Sequence, residues 1–591
     1  MKSAILLFSM LFLLLPSAFA QDMQYVSSQS GDTLVVKDDF EYGHTNTLYL
    51  LMASDSMAPA TRVYVLKSGG VYSCANNPVT STKYRTIIMG EDQSSLKTSK
   101  ATLAPPIITG DATAATPTYG GMNVGKDLLI NNVDLEIGNS AGNGGGWAFF
   151  NFNGSGYRLQ VDNCIMEHTW WTWVGGPPAD TRVFFTNDYF VNLDGHSCRR
   201  NGGVTDFNGT GVTHEDTLSV QNCTHVNVQG TLYKFRYGVA VDKVVFNHND
   251  FIDCAGFVFM NNGDQTNMSV TNNIFVNCQL QGYCNVLQKA DAGEVDMDSL
   301  AMGLVNVRVD STFLANGQNF YANKNLAYWD PSLSDIISTL NTNKVDDNTQ
   351  WVSQMIPMNT RTASLFNDNT TYPKLVSTGW ITPSAYPAFK NTDVLFSTQL
   401  AKLKAYAIAC VDTSYGSPLD SWRQSSNLET SNFIYADWPV PIDLSYTDAD
   451  LLSAGLGGFP LGDLNWFPTQ YASWKAQESA ELATIAGVLD GSVMVGVHEG
   501  QALPQKFQLQ QNYPNPFNPT TAIDFTIPKA GYVSLKVYNV LGQEVATLVN
   551  GFKAPQAYTV NFDGANLATG IYFYTLKYGD RSITKKMLLL K

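Results

Sequence analysis

Charge is scarce in this chain. Asp, Glu, Lys and Arg together supply 15% of the 591 residues, and acids outnumber bases by 51 to 36. The formal charge of −15 repels phosphate backbones and anionic lipid, so no nucleic-acid partner is expected. An acidic polymer would need a local basic strip or a bridging cation. Cysteine is also sparse: the eight present are scattered and form no Cys-x-x-Cys pair, which removes support for a zinc or dithiol site. A chain of this length can bury a core without a disulfide scaffold. After residue 20 no apolar run is long enough to span a bilayer, so an integral membrane protein is not expected. A nucleophile elbow, His-Glu-x-x-His, a phosphate loop and a dinucleotide fingerprint are all missing. What the chain has in quantity is Asn, Thr, Ser and Gly, the neutral polar surface of many extracellular β-rich proteins.

Residues 1–20 read as a signal peptide. Lys2 gives the positive start, Ala4 to Leu15 the apolar stretch, and Ala18-Phe19-Ala20 a small-x-small cleavage site. The expected address is therefore secreted, extracellular or attached to the outer cell surface.

Between residues 128 and 330 one pattern recurs: apolar-x-apolar-x-Asn-x-x-apolar. It appears as Leu128, Ile130, Asn132, Leu135 and as Leu159, Val161, Asn163, Met166. It returns around Asn187, Asn222, His248 (with His in the Asn place), Asn272 and Asn323, with His225 and Asn319 departing into apolar slots. Alternation at period two makes each line a short strand with one buried face. Asn tolerates a left-handed bend, and its amide can bond its counterpart on the next turn, so Asn132, Asn163, Asn187, Asn222, His248, Asn272 and Asn323 are expected to form an inward ladder. Their spacings of 31, 24, 35, 26, 24 and 51 fit circuits of three short strands, with longer values marking loops or a degenerate copy. A β-sandwich with accidental Asn placement is the competing reading. Cys254 and Cys278, each six residues after its ladder position, should stack on adjacent circuits as a bridge or as two thiols.

The repeat style resembles the pectin-lyase-like right-handed parallel β-helix superfamily over about residues 60–330. The resemblance implies an all-β solenoid, with the β-helix and its N-terminal cap over 21–330. Residues 331–475 lose the repeat and read as an irregular C-terminal cap, and 476–505 as a linker. From Phe507 six alternating strands suggest an immunoglobulin-like β-sandwich over 506–591. Its motifs are Asn512-Tyr-Pro-Asn-Pro-Phe-Asn-Pro-Thr-Thr521, Val537-Tyr-Asn-Val-Leu-Gly-Gln543, Leu567-Ala-Thr-Gly-Ile-Tyr572 and Lys585-Lys-Met-Leu588. These closely resemble the type A C-terminal sorting domain of type IX secretion substrates in Bacteroidetes-like bacteria, which implies the type IX machinery as a partner.

Candidate chemistry lies on the long circuit between Asn187 and Asn222. There His196, Arg199, Arg200, Asp206, His214 and Glu215 are candidates for acid–base work, although a solvated loop with surface ion pairs explains them as well. His168, Trp170, Trp171 and Trp173 could stack on sugar faces or pack in the core. Lys234, Arg236 and Lys243 could form a basic strip for carboxylated sugars or a solvated strand face. The RxPxxR and WiDH elements of pectate lyases and the consecutive Asp pair of polygalacturonase-like enzymes do not occur on the repeats. The sequence therefore favours a surface protein that binds extracellular polysaccharide as an adhesin or structural layer. The alternative is a divergent polysaccharide lyase or glycosidase. No metal ligand set is evident; calcium would belong to a lyase, where it offsets the uronate carboxylate.

Overall fold

The computed structural model describes residues 23–493 and 507–591, except 56–57, 75–79, 82, 99–102, 112–118, 140–146, 170, 194–202, 209–213, 237–238, 262–263, 281–302, 308–317, 335–355, 359, 384, 391–398, 406–437, 441, 529–530, 554–555 and 580. The signal segment thus lies outside the described residues. The chain divides into two compact units, up to Ser492 and from Val493 onward.

The first unit is mostly β, built on three long sheets of twelve, nine and six strands. Successive strands visit the sheets in rotation. Arg158–Asp162 belongs to the first sheet, Ile165–Glu167 to the second and Thr172–Gly175 to the third, before Arg182–Thr186 returns to the first. Neighbours within each sheet run parallel, except for the opening pair Val26–Ser30 and Thr33–Val36. The register superimposes equivalent positions: Leu159 faces Val183, which faces Leu218, then Val244, then Met268. Each of these side chains is buried. Fully burying such a residue contributes about 1.5–3 kcal/mol before chain entropy is charged against it, so the period-two positions drive the stack.

Aromatic stacking extends the same order. His225, an apparent exception to the apolar slot, lies between Phe190 and Phe251 with ring centroids 4.7 and 4.4 Å away, and Phe251 stacks on Phe275 at 5.0 Å. Burial pushes the His225 pKa down to about 3, so the ring is neutral and behaves as one more flat core residue. Its Nε2 lies 2.7 Å from the Tyr233 hydroxyl.

The turn from the first to the second sheet is made by single residues in the left-handed region. Asn132, Asn163, Asn187, Asn222, His248 and Asn272 have φ between 52° and 60°. In the last circuit Lys324 (φ 57°), not Asn323, takes this place. There the register pairs Met268 with Phe320 and Val270 with Ala322, so the apolar line runs through Phe320 and Ala322 and not through Asn319 and Tyr321. Five residues further along five of these circuits, His168, Asn192, Asn227, Asp253 and Asn277 form a second left-handed row.

Amide-to-amide bonding between equivalent positions of neighbouring circuits occurs one residue after the left-handed residue. Asn249 Nδ2 donates to Asn273 Oδ1 at 2.9 Å, and Asn273 Nδ2 to Asn325 Oδ1 at 3.0 Å. The left-handed residues also meet covering segments, while Asn272 Nδ2 donates to the Asn247 amide of the neighbouring circuit at 2.8 Å. Asn132 and Asn163 both donate to the Ser94 carbonyl, Asn187 accepts from Asn465 Nδ2, and Leu456 N donates to Asn272 Oδ1.

Those covering segments come from both sides of the repeat in sequence. Residues 94–97 cross the early circuits. Part of 438–467 lies on the outer face of the second sheet, where Val191, Val226, Ile252 and Val276 meet Ile442, Leu461 and Trp466. Beyond the repeat, Leu375–Thr378 adds a further parallel strand to the first sheet. The stretch 476–505, expected as a linker, holds the helix Glu478–Asp490, whose Glu481 accepts a 2.8 Å hydrogen bond from Asn247. Cys254 and Cys278 are both free, buried thiols.

The second unit consists of small antiparallel sheets of three and four strands. The main strands are Thr520–Ile527, Gly531–Tyr538, Glu544–Lys553, Gln556–Asp563, Gly570–Tyr578 and Arg581–Leu589. Ile523, Phe525, Val533, Leu535, Leu576 and Met587 are among its buried core.

Candidate functional site

Three groups of side chains gather along the third sheet and its turn into the first. The parallel register creates the first group by placing Asp206 opposite Lys234 and Asn208 opposite Arg236. Arg236 Nε donates to Asp206 Oδ1 at 2.9 Å and Nη2 to Oδ2 at 2.5 Å, while Lys234 Nζ stands 4.0 Å from Oδ2. Asp206 and Lys234 are buried. A candidate catalytic carboxylate and two candidate substrate-binding cations thus hold one another, and a bidentate pair of this kind positions strands well.

The second group lies where strands of the first sheet begin. His214 Nε2 is 2.8 Å from Asp242 Oδ1, and Nδ1 is 3.4 Å from Asp180 Oδ1. All three side chains are about half exposed or more. The hydrogen bond to Asp242 leads in raising the His214 pKa above its ordinary 6.5. Next to it Glu215 turns inward, accepts the Thr181 N–H at 3.1 Å and is only 1% exposed. Burial pushes its pKa up to about 9, so it carries a proton at neutral pH. Lys243 remains exposed. His196, Arg199 and Arg200 lie outside the described residues.

The third group is aromatic. Trp173 is fully buried with its ring 5.1 Å from Phe149, so it is core and not a sugar platform. Trp171 is half-buried and pairs at 5.5 Å with Trp147 of the preceding circuit, which is 44% exposed. Trp147 reaches its place over glycine: a Cβ on Gly175 would come within 2.6 Å of the Trp147 Nε1. The sequence pattern gave no hint of Trp147, because it precedes its strand and only the fold brings it beside Trp171. Trp170 lies outside the described residues.

His168, expected as a substrate contact, is buried in a left-handed conformation. Its Nε2 stands 3.8 Å from Glu136 and 3.9 Å from Glu167, both buried. These three could together hold a divalent cation, since one ligand atom from each lies within 4.8 Å of the others. One nitrogen and two oxygens suit zinc or manganese better than calcium, which takes six to eight oxygens.

The address of the protein comes from its other unit. Residues 511–590 match the secretion system C-terminal sorting domain. The chain is therefore a secreted protein, attached to the cell surface or released, and its sorting domain engages the secretion machinery. No curated protein and no solved structure matches the chain. Among the described residues no helix is long and apolar enough to cross a membrane.

Proposed function

We propose that the first unit is a right-handed parallel β-helix that binds an extracellular polysaccharide once the sorting domain, read as an immunoglobulin-like sandwich, has delivered it to the cell surface. The observation that carries the reading is the Trp147–Trp171 pair, with rings 5.5 Å apart on consecutive circuits and Trp147 open to solvent. Indole faces are electron-rich and apolar, and the axial C–H groups of a pyranose stack on them without leaving polar groups unpaired. Repetition along parallel circuits suits a repeating polymer, because each circuit can offer a contact to the next sugar.

The enzymatic alternative has less support. Glu215 holds a proton but is sealed from solvent, and the Asp206 carboxylate is occupied by Arg236. A general acid or base must come within hydrogen-bond reach of the substrate.

The test is binding of the full-length protein to a panel of neutral and acidic polysaccharides, read by intrinsic tryptophan fluorescence. Trp147→Ala should weaken binding about tenfold, the loss of roughly one stacked ring, with Trp171→Ala similar. Absence of binding across the panel, or wild-type affinity in both variants, would overturn the proposal.

A further inference from the structure

The covering segments meet at one buried point. Residues 94–97 cross the early circuits, with Leu96 N donating to Asn163 Oδ1 at 3.0 Å. Residues 455–467 cross the later ones, with Gly462 N donating to the Asn272 carbonyl at 2.8 Å. Where they approach each other, Lys97 Nζ contacts Asp463 Oδ2, and both side chains are wholly shielded from solvent.

The surroundings of this contact resemble the apparatus of an acyl transfer. Lys97 Nζ is aimed by two backbone carbonyls, Asp188 at 3.1 Å and Asn222 at 2.8 Å. Asp463 Oδ1 accepts two N–H donors from Asn465, the backbone at 2.9 Å and the side chain at 2.8 Å, which is the arrangement of an oxyanion hole. The other oxygen, Oδ2, accepts the Thr224 hydroxyl at 2.7 Å. Asp250 lies against this segment so closely that a Cβ on Gly462 would come within 2.0 Å of its Oδ1. Burial raises the Asp250 pKa well above its ordinary value, the direction that favours a held proton.

An ammonium and a carboxylate are costly to keep in such a place. For the two to condense, one proton must first pass from Lys97 to Asp463 along their contact, which cancels both charges and leaves an amine facing a carboxylic acid. Groups fixed in this way react at effective concentrations of roughly 10⁵ M or more.

We propose that Lys97 and Asp463 condense to form an isopeptide bond. The Nζ lone pair attacks Cγ, and charge on Oδ1 is received by the two Asn465 N–H groups. The Cγ–Oδ2 bond breaks as Asp250 protonates Oδ2, which leaves as water. One proton from Nζ replaces the one Asp250 gave, so the acid is regenerated and nothing is oxidised or reduced. The product ties together residues 366 positions apart and fixes both covering segments on the corner of the stack.

A tryptic map of the purified full-length protein tests this directly. Acylated Lys97 is not cleaved, so residues 86–100 should appear joined to residues 424–475, lighter than the two peptides together by one water. Lys97→Arg should release both peptides separately and lower the heat-unfolding midpoint. Asp250→Asn should leave a mixture of joined and separate peptides. Wild-type protein yielding free 86–97 and free 424–475 at their sequence masses would overturn the proposal and leave an ion pair only.

Discussion

Two charged groups flank the same turn, where the third sheet passes into the first, and they are built on opposite principles. Asp206, Lys234 and Arg236 lie under cover, with bidentate geometry and little access to water. Asp180, His214 and Asp242 stand in solvent with side chains about half exposed or more. Both are acid–base clusters by composition. Exposure separates them: the covered group ties neighbouring strands together, and the open group faces solvent. Residue types that suggest catalysis in a sequence are thus divided by the fold between structure and surface.

The sharpest way to break this contrast is to remove the covered carboxylate. Asp206→Asn keeps the shape and one acceptor, but it removes the negative charge and turns an N–H donor toward one of the two Arg236 donors. Weakening one member of a buried ion pair is costly, so a loss of about 3 kcal/mol is expected in denaturant unfolding. A loss below about 1 kcal/mol, the ordinary value of a surface pair, would show that the group is not sealed as described.

Glu215 occupies the boundary between the two groups and predicts a pH slope. An ordinary glutamate ionises near 4.5, whereas burial holds Glu215 to about 9. Across that interval the folded state binds a proton that the unfolded chain has lost. The stability from this group is therefore complete below the lower value and declines as pH rises toward the upper one. Glu215→Gln, which cannot ionise, should flatten this decline in urea unfolding measured at several pH values across the interval. Equal slopes for wild type and variant would place the origin of any pH dependence elsewhere.

How much of this was legible in the sequence depends on the range of the interaction that decides each feature. The alternation through Leu159 and Val161, or Val244 and Phe246, is local, and the observed register superimposes those positions. The left-handed bend at Asn163 or Asn272 was also legible, because few residues accept it. Where the amide bonds was not legible. A left-handed residue interrupts the alternation, and the bonded stack passes to the following position, Asn249, Asn273 and Asn325. The last circuit slipped by one residue for a related reason: Lys324 makes the bend, and the nearby Asn323 drew the pattern toward itself. The covering segments had no local signature at all. Asn465 reaches Asn187 across 278 residues, and no periodicity records such a contact. Trp147 was missed similarly, since its partner belongs to the next circuit.

The open cluster gives the smallest stability effect and the most direct test of function. The bond to Asp242 raises the His214 pKa, so its stabilising charge is complete below the ordinary 6.5 and is lost as pH rises through the higher folded value. With partners about half exposed or more, solvent and salt screen most of that gain, and His214→Gln should cost at most about 0.5 kcal/mol at acidic pH and less near pH 8. Because the substitution spares the fold, it isolates what the surface does. If the Trp147–Trp171 surface binds a polymer without turnover, His214→Gln leaves its affinity within about twofold, a difference of under half a kcal/mol. Wild-type release of reducing ends or unsaturated uronates that disappears in His214→Gln, with unfolding unchanged, would instead make the open triad a working acid–base set and reverse the preference for binding over catalysis.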